Sequence, residues 1–281
     1  MYLSLNSTLV AGRVPWPEFA RLAAKVGFPG VDVAIAGAMS EGFESTRALL
    51  AQLNLTPAVA GFPAEFRKDD AAFRRDLGQL AEAAQFAAAI GCPRMSTYIL
   101  SSSERPKPEQ RKIYLDRLRV AADVLARSHV RLGLEFLGPL HLRKMFPYEF
   151  IWRMDEMLEF AKECGSNVGL ELDSWHWHHA RATVQDILAA GKENIINVQV
   201  NDSPRLPPEE IRDDERLMPG EGVIDLAGFF SALKETGYAD GVSPEVFGRG
   251  LKNIPPEEGA RLGLDSTRAV MRMLSSLCVF P

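Results

Sequence analysis

The chain has 281 residues, of which 46% are hydrophobic and 25% charged, and its formal net charge is −5. That length and balance describe a globular protein with one large, well-filled core. The acidic excess argues against a nucleic-acid surface. No window approaches the ~18 apolar residues that a membrane helix needs.

Tyr2–Asn6 is the first β-prone run, and the residues around it have neither the basic flank nor the apolar stretch of a secretory signal. One local theme then repeats along the chain: a helical period, a glycine stop, and a short strand. Phe19–Val26 runs into Gly27 and then Val31–Ile35; Leu77–Ile90 runs into Gly91 and then Arg94–Ile99. Ile151–Glu163 leads through Gly165 to Val168–Asp173, and Phe229–Glu235 leads through Gly237 to Gly241–Phe247. A glycine just past a helix supplies the left-handed cap, and a nearby proline prevents continuation. Weaker junctions at Leu53–Gly61, Ser128–Phe136 and Asn194–Asn201 bring the strand count to eight. Strands alternating with helices imply parallel pairing and right-handed crossovers, so the expected fold is a single (β/α)₈ TIM barrel over residues 1–281. An open doubly wound sheet would normally place a Gly-rich phosphate loop after the first strand, and Asn6–Val10 is not one. Two long insertions, Ser101–Gln110 and Ser203–Gly222, follow strands and are expected on the catalytic face as lids. Cys92, Cys164 and Cys278 are widely spaced with no CxxC pair and read as reduced, mostly buried thiols of a cytoplasmic protein.

Active sites of such barrels assemble at the C-terminal ends of the strands. Strand five carries Glu135 there, strand six ends in Asp173, strand seven carries Gln199 and strand eight Glu245. Each carboxylate stands in an apolar run, where an unpaired charge is expensive. A divalent cation would neutralise the set; a salt bridge to Arg or Lys across the barrel is the alternative for any one of them. Oxygen donors favour Mn²⁺ or Mg²⁺, with Zn²⁺ or Co²⁺ as further candidates. Three of the five histidines follow Asp173 in Ser174-Trp-His-Trp-His-His179. Read as an extended segment, Trp175 and Trp177 face away from His176 and His178, so one indole could floor a sugar pocket while the other packs in the core.

Several segments in this order and spacing resemble the xylose-isomerase-like TIM barrels of the sugar phosphate isomerase/epimerase family. They are Gly133–Phe136, Gly169–His178, Asp214–Asp225, Ser231–Gly237 and Val242–Phe247. The resemblance implies that Glu135, Asp173 and Glu245 are metal ligands and that His176 and Arg216 contact substrate oxygens. The family has His where this chain has Gln199, which implies a harder, all-oxygen site. The implied activity is metal-dependent isomerisation or epimerisation of a keto-sugar or inosose, with Glu135 and Glu245 as the acid/base pair. A dehydratase or 3-keto-glycoside lyase on the same site is the main alternative. A non-catalytic sugar-binding barrel and an AP endonuclease are the others, the latter disfavoured by only five histidines. No basic cluster marks a phosphate site, so the expected ligand is a neutral sugar or cyclitol, with no nucleic-acid or membrane partner. The helices ringing a barrel leave a homodimer open.

Overall fold

In the computed structural model, which describes residues 1–277, eight parallel strands close into a barrel. They are β1 (Tyr2–Leu5), β2 (Gly30–Val33), β3 (Thr56–Gly61), β4 (Arg94–Ile99), β5 (Arg131–Phe136), β6 (Val168–Asp173), β7 (Ile195–Val200) and β8 (Gly241–Pro244). Each strand pairs with its neighbours in sequence, and β8 closes on β1 through Tyr2–Gly241 and Leu3–Val242. The expected (β/α)₈ architecture is therefore the observed one. Most strands are shorter than the sequence suggests. The chain beyond β2 turns directly into a helix, Ile35–Glu41, and β8 stops at Pro244, which leaves Glu245 on the rim.

The outer helices form for readable reasons. Glu18–Val26 ends on Gly27 in the left-handed region at φ 99°, and Leu226–Thr236 ends on Gly237 at φ 80°. Asp69 caps Asp70–Ala89 by accepting from the Ala72 N–H at 2.8 Å, starting that helix earlier than its apolar period suggests. The faces turned inward carry Phe19, Ala23, Leu80, Ala84, Phe229 and Leu233, all buried against the strands. Cys92 and Cys164 are free and buried, as expected; Cys278 lies outside the described residues. No helix among the described residues is long and apolar enough to cross a membrane.

Beneath the C-terminal rim the barrel interior is unusually polar. Asn197 Nδ2 donates to Glu171 Oε1 at 3.0 Å, and Asp32 accepts from Ser4, Asn6 and Ser243. Glycine sets how closely two of the strands approach. A Cβ on Gly169 would meet the Asn194 carbonyl oxygen at 2.5 Å and Ile196 Cδ1 at 2.9 Å, so β6 approaches the start of β7 only without a side chain. Gly169→Ala should therefore cost about 1–3 kcal/mol through displaced backbone. Urea unfolding measures this, and an unchanged midpoint would mean that β7 yields freely.

Candidate active site

The cavity of about 800 Å³ at the C-terminal mouth of the barrel is lined by Glu135, His176, Gln199, Arg216 and Glu245 among others. Register explains their meeting: Glu135 stands opposite Glu171, Asp173 opposite Gln199, and Gln199 opposite Ser243, two residues before Glu245. Alternation then turns Glu135, Asp173, Gln199 and Glu245 to the barrel axis together.

Arg216 organises them. Its Nη1 donates to Asp173 Oδ2 at 2.6 Å and to Glu245 Oε2 at 2.8 Å, while Nη2 reaches Asp213 at 3.2 Å. The guanidinium is buried, 1% exposed, between the rings of Trp175 and Phe247, at 5.5 and 4.6 Å. Burial alone would lower its pKa, but Asp173, Asp213 and Glu245 outweigh burial and raise it. The loop that carries it is pinned to β7. Asp202 and Leu217 exchange backbone hydrogen bonds of 2.9 and 2.8 Å, and the Asp202 carboxylate accepts from Ser203, Gly220 and Ile224 N–H groups. Gly248, at φ +72°, lets the chain beyond β8 pass this loop, since a Cβ there would stand 2.0 Å from the Asp214 carbonyl oxygen. Of the two insertions expected as lids, 203–222 thus brings Arg216 and Asp213 to the cavity. The other is folded aside, with Ser102–Ser103 paired antiparallel to Tyr148–Glu149.

The remaining polar atoms divide sharply. Gln199 Nε2 donates to Glu245 Oε1 at 2.9 Å, and Asn201 Nδ2 donates to Asp173 Oδ1 at 2.8 Å and to the Glu245 carbonyl at 3.1 Å. Glu135 Oε1 and Gln199 Oε1 are buried with no hydrogen-bond partner. His176 Nδ1 accepts from the Gly138 N–H at 3.3 Å, which leaves the proton on Nε2, 3.4 Å from Glu135 Oε1. Ligand atoms of Glu135, Asp173 and His176 lie within 4.8 Å of one another. In this tautomer, however, His176 offers a proton and not a lone pair. It is a donor toward the site, and the 3.2 Å approach of Arg216 Nη2 to Nε2 is contact between two donors.

Environment separates the carboxyl groups. Burial, with Glu171, Glu245 and Asp173 adding like charge, pushes Glu135 well above the usual range. Burial also lifts Glu245 to about 8 against the pull of Arg216, and raises Asp173, where Arg216 again opposes it. Burial, then Arg216, holds His176 well below its ordinary value, so the ring is neutral. One guanidinium against three carboxylates leaves a site able to gain a further positive charge. Two unpartnered oxygens and an all-oxygen set of Glu135, Asp173, Gln199 and Glu245 fit a hard divalent cation.

The tryptophans correct the sequence reading. Ser174–His179 is a short helix, not an extended segment, because the Asp173 side chain accepts from the Trp175 N–H at 2.9 Å and caps it. Neither Trp175 nor Trp177 lines the cavity. Trp175 is fully buried behind Arg216, and Trp177 packs on Phe229 with its Nε1 donating to the Thr183 carbonyl at 3.2 Å. His179 contacts Ser203 Oγ at 3.2 Å, away from the carboxylates. Sequence reasoning also missed Asp32, Glu171, Asn197 and Asn201. Period-two spacing from Asp173 and Gln199 pointed to the last three.

Arg216→Met should leave Asp173 and Glu245 buried without their cation and cost about 3–5 kcal/mol in chelator-treated protein. Saturating Mn²⁺ should restore part of that loss. Thermal and urea melts with and without metal check both; a variant as stable as wild type in chelator would remove Arg216 from this role.

Residues 20–270 match the model of the xylose isomerase-like TIM barrel family. The inosose isomerase of Bacillus subtilis (strain 168) is 29% identical over 172 residues, which cover 61% of this chain and 59% of that protein. The 3-dehydroshikimate dehydratase of Pseudomonas aeruginosa is 32% identical over 153 residues, covering 54% of this chain and 23% of the dehydratase. Among solved structures, a xylose isomerase domain protein from Alicyclobacillus acidocaldarius superposes with a TM-score of 0.89 at 28% identity, covering 98% of this chain and 99% of that one. The matched span runs from the first outer helix into the last, so the chain belongs to the xylose isomerase-like TIM barrel family.

Proposed function

We infer that this protein is a divalent-metal-dependent isomerase or epimerase of a keto-sugar or inosose. The observation that carries this reading is the pairing of two buried acids in unlike environments: Glu245 held by Arg216, and Glu135 without any cationic contact. Such a pair supplies an acid and a base at one pH.

Glu135, Asp173, Gln199 and Glu245 would hold the ion, which when bound lowers the energy of negative charge growing on a substrate oxygen. Gln199 in place of a nitrogen ligand favours Mn²⁺ or Mg²⁺ over Zn²⁺. With a divalent charge beside it Glu245 would stand as the carboxylate, held by Gln199 and Arg216, and so able to take the proton from the carbon next to the ketone. As that C–H bond breaks, its electron pair moves toward the carbonyl oxygen. Arg216 and the His176 Nε2–H are the fixed donors on that side, already desolvated and oriented. Glu135 then delivers a proton. Returned to the same carbon from the other face, it gives the epimer. Returned to the former carbonyl carbon, while the adjacent hydroxyl proton passes to the oxygen, it gives the isomeric ketone or aldehyde. The short helix Ser174–His179 and Gly138 hold His176 in place, and Asn201 holds Asp173 and the Glu245 backbone.

The likeness to a dehydratase keeps a second reading in view, in which the same carbanion expels a β-hydroxyl. Product mass separates the two, being unchanged for an isomer and lower by one water for a dehydration product. We place the protein in the cytoplasm, where the buried free thiols of Cys92 and Cys164 stay reduced.

The test is NMR of 2-keto-myo-inositol in deuterated water with metal-loaded protein. Wild type should introduce solvent deuterium next to the ketone, and Glu245→Gln should lower the exchange rate by at least ~100-fold. Exchange persisting in the variant would remove Glu245 as the base. No exchange by wild type on any keto-sugar or inosose would defeat the reading.

A further inference from the structure

The cavity has a second polar wall that the chemistry above does not use. In the ring order of strands, β2 lies four places from β6 in either direction, so it faces Asp173 across the barrel. From this wall Asp32 lines the same cavity as Glu135 and Glu245. Its Oδ1 accepts from Ser4 Oγ at 2.6 Å and from Ser243 Oγ at 2.8 Å, and its Oδ2 accepts from Asn6 Nδ2 at 3.1 Å. Asn6 is itself fixed, because its Oδ1 accepts from the Thr8 N–H and hydroxyl, each at 2.9 Å. The carboxylate is therefore held in one orientation by neighbours on β1 and β8.

Two features distinguish it from a structural salt-bridge acid. No cation offsets its charge: burial pushes the carboxyl up to about 6, and only the three hydrogen bonds oppose this. A carboxylate also offers about four acceptor positions. Three are filled here, and Oδ2 takes only one bond while the residue keeps part of its surface open to the cavity. Apart from such hydrogen-bonding groups the lining is mostly apolar, including Phe19, Val33, Ile35, Val59 and Leu100. A cavity with hydrogen-bonding groups on opposite strands and an otherwise apolar lining suits a ring with hydroxyls on its rim and C–H faces.

We propose that Asp32 is the specificity-determining group of this cavity. It accepts a hydrogen bond from a substrate hydroxyl remote from the reacting carbonyl, and so selects neutral polyhydroxylated rings over rings bearing a carboxylate or phosphate at that end. A neutral hydroxyl supplies the donor that Oδ2 lacks. An anionic substituent would meet an uncompensated carboxylate in a poorly solvated wall, where repulsion is strong. The inference rests on the keto-polyol reading of the site and narrows its substrate class.

The test is ligand-observed NMR titration of the full chain, with saturating Mg²⁺, against two six-membered hydroxylated rings that lack a ketone. One is myo-inositol, which is neutral; the other is shikimate, which carries a carboxylate. Wild type should bind myo-inositol at least ~10-fold more tightly than shikimate. Asp32→Asn should weaken myo-inositol by about 10-fold, the worth of a hydrogen bond to a charged group, and narrow the preference between the rings. A loss of packing alone would weaken both rings alike and leave their ratio unchanged, which would overturn the proposal. So would a folded variant that binds as wild type does, a wild type that prefers shikimate, or one that binds neither ring. Should the variant fail to fold, deoxy analogues of myo-inositol with wild type carry the test. Removal of one hydroxyl should cost about 10-fold, and equal affinity across the analogues would overturn the assignment. Neither probe reacts, so these results stand apart from the exchange experiment that tests catalysis.

Discussion

Three carboxylates brought out of water around a single guanidinium set the terms for the rest of this structure. Glu135, Asp173 and Glu245 could not converge at the barrel mouth on their own charge, and Arg216 meets only part of it through Asp173 and Glu245. The surrounding architecture serves to keep that guanidinium in place. Asp202 pins its loop to β7, Trp175 and Phe247 close over it, and Asp213 takes its outer nitrogen. Asp173 belongs to both the scaffold and the site, because one oxygen caps the helix that presents His176 and the other receives Arg216.

The same constraint divides the chemistry. Burial lifts Glu245 to about 8 against the pull of Arg216, so Glu245 is the group whose proton an arriving cation displaces, while Glu135, among like charges with an unpartnered oxygen, keeps its proton. A divalent ion would complete the charge balance through oxygens already in place. The polar floor of Glu171, Asn197 and Asp32 extends this pattern below the rim, where barrels usually stack branched apolar side chains. Burial lifts Glu171 to about 7, so near neutral pH Glu171 is partly protonated and Asp32 carries most of the floor's charge.

The barrel was legible because its signals are local: a glycine stop at Gly27, Gly91, Gly165 and Gly237, and a short apolar run after each stop. The four strand-end groups were legible for the same reason, since position on a strand fixes direction. Residues outside that logic were harder to read. Trp175-His-Trp-His178 alternates like a strand, yet the Asp173 cap makes it helical, and the tryptophans turn into packing instead of toward the ligand. The burial of Arg216 depends on a long loop without periodicity, held by a bridge between Asp202 and Leu217 that no spacing announces. Asp32 sits inside Val31–Val33, which reads as ordinary strand until Ser4, Asn6 and Ser243 converge on it.

The most direct measurement is the number of protons released when Mn²⁺ binds the metal-free protein at pH 7. Titration calorimetry in buffers of different ionisation enthalpy gives this number. If Glu245 keeps its proton until a cation arrives while Glu135 holds its own as the acid, binding of one Mn²⁺ per chain should release about one proton at pH 7, falling toward zero above pH 9. Binding without proton release at pH 7, or no binding at all, would contradict an acid/base site assembled around a missing positive charge.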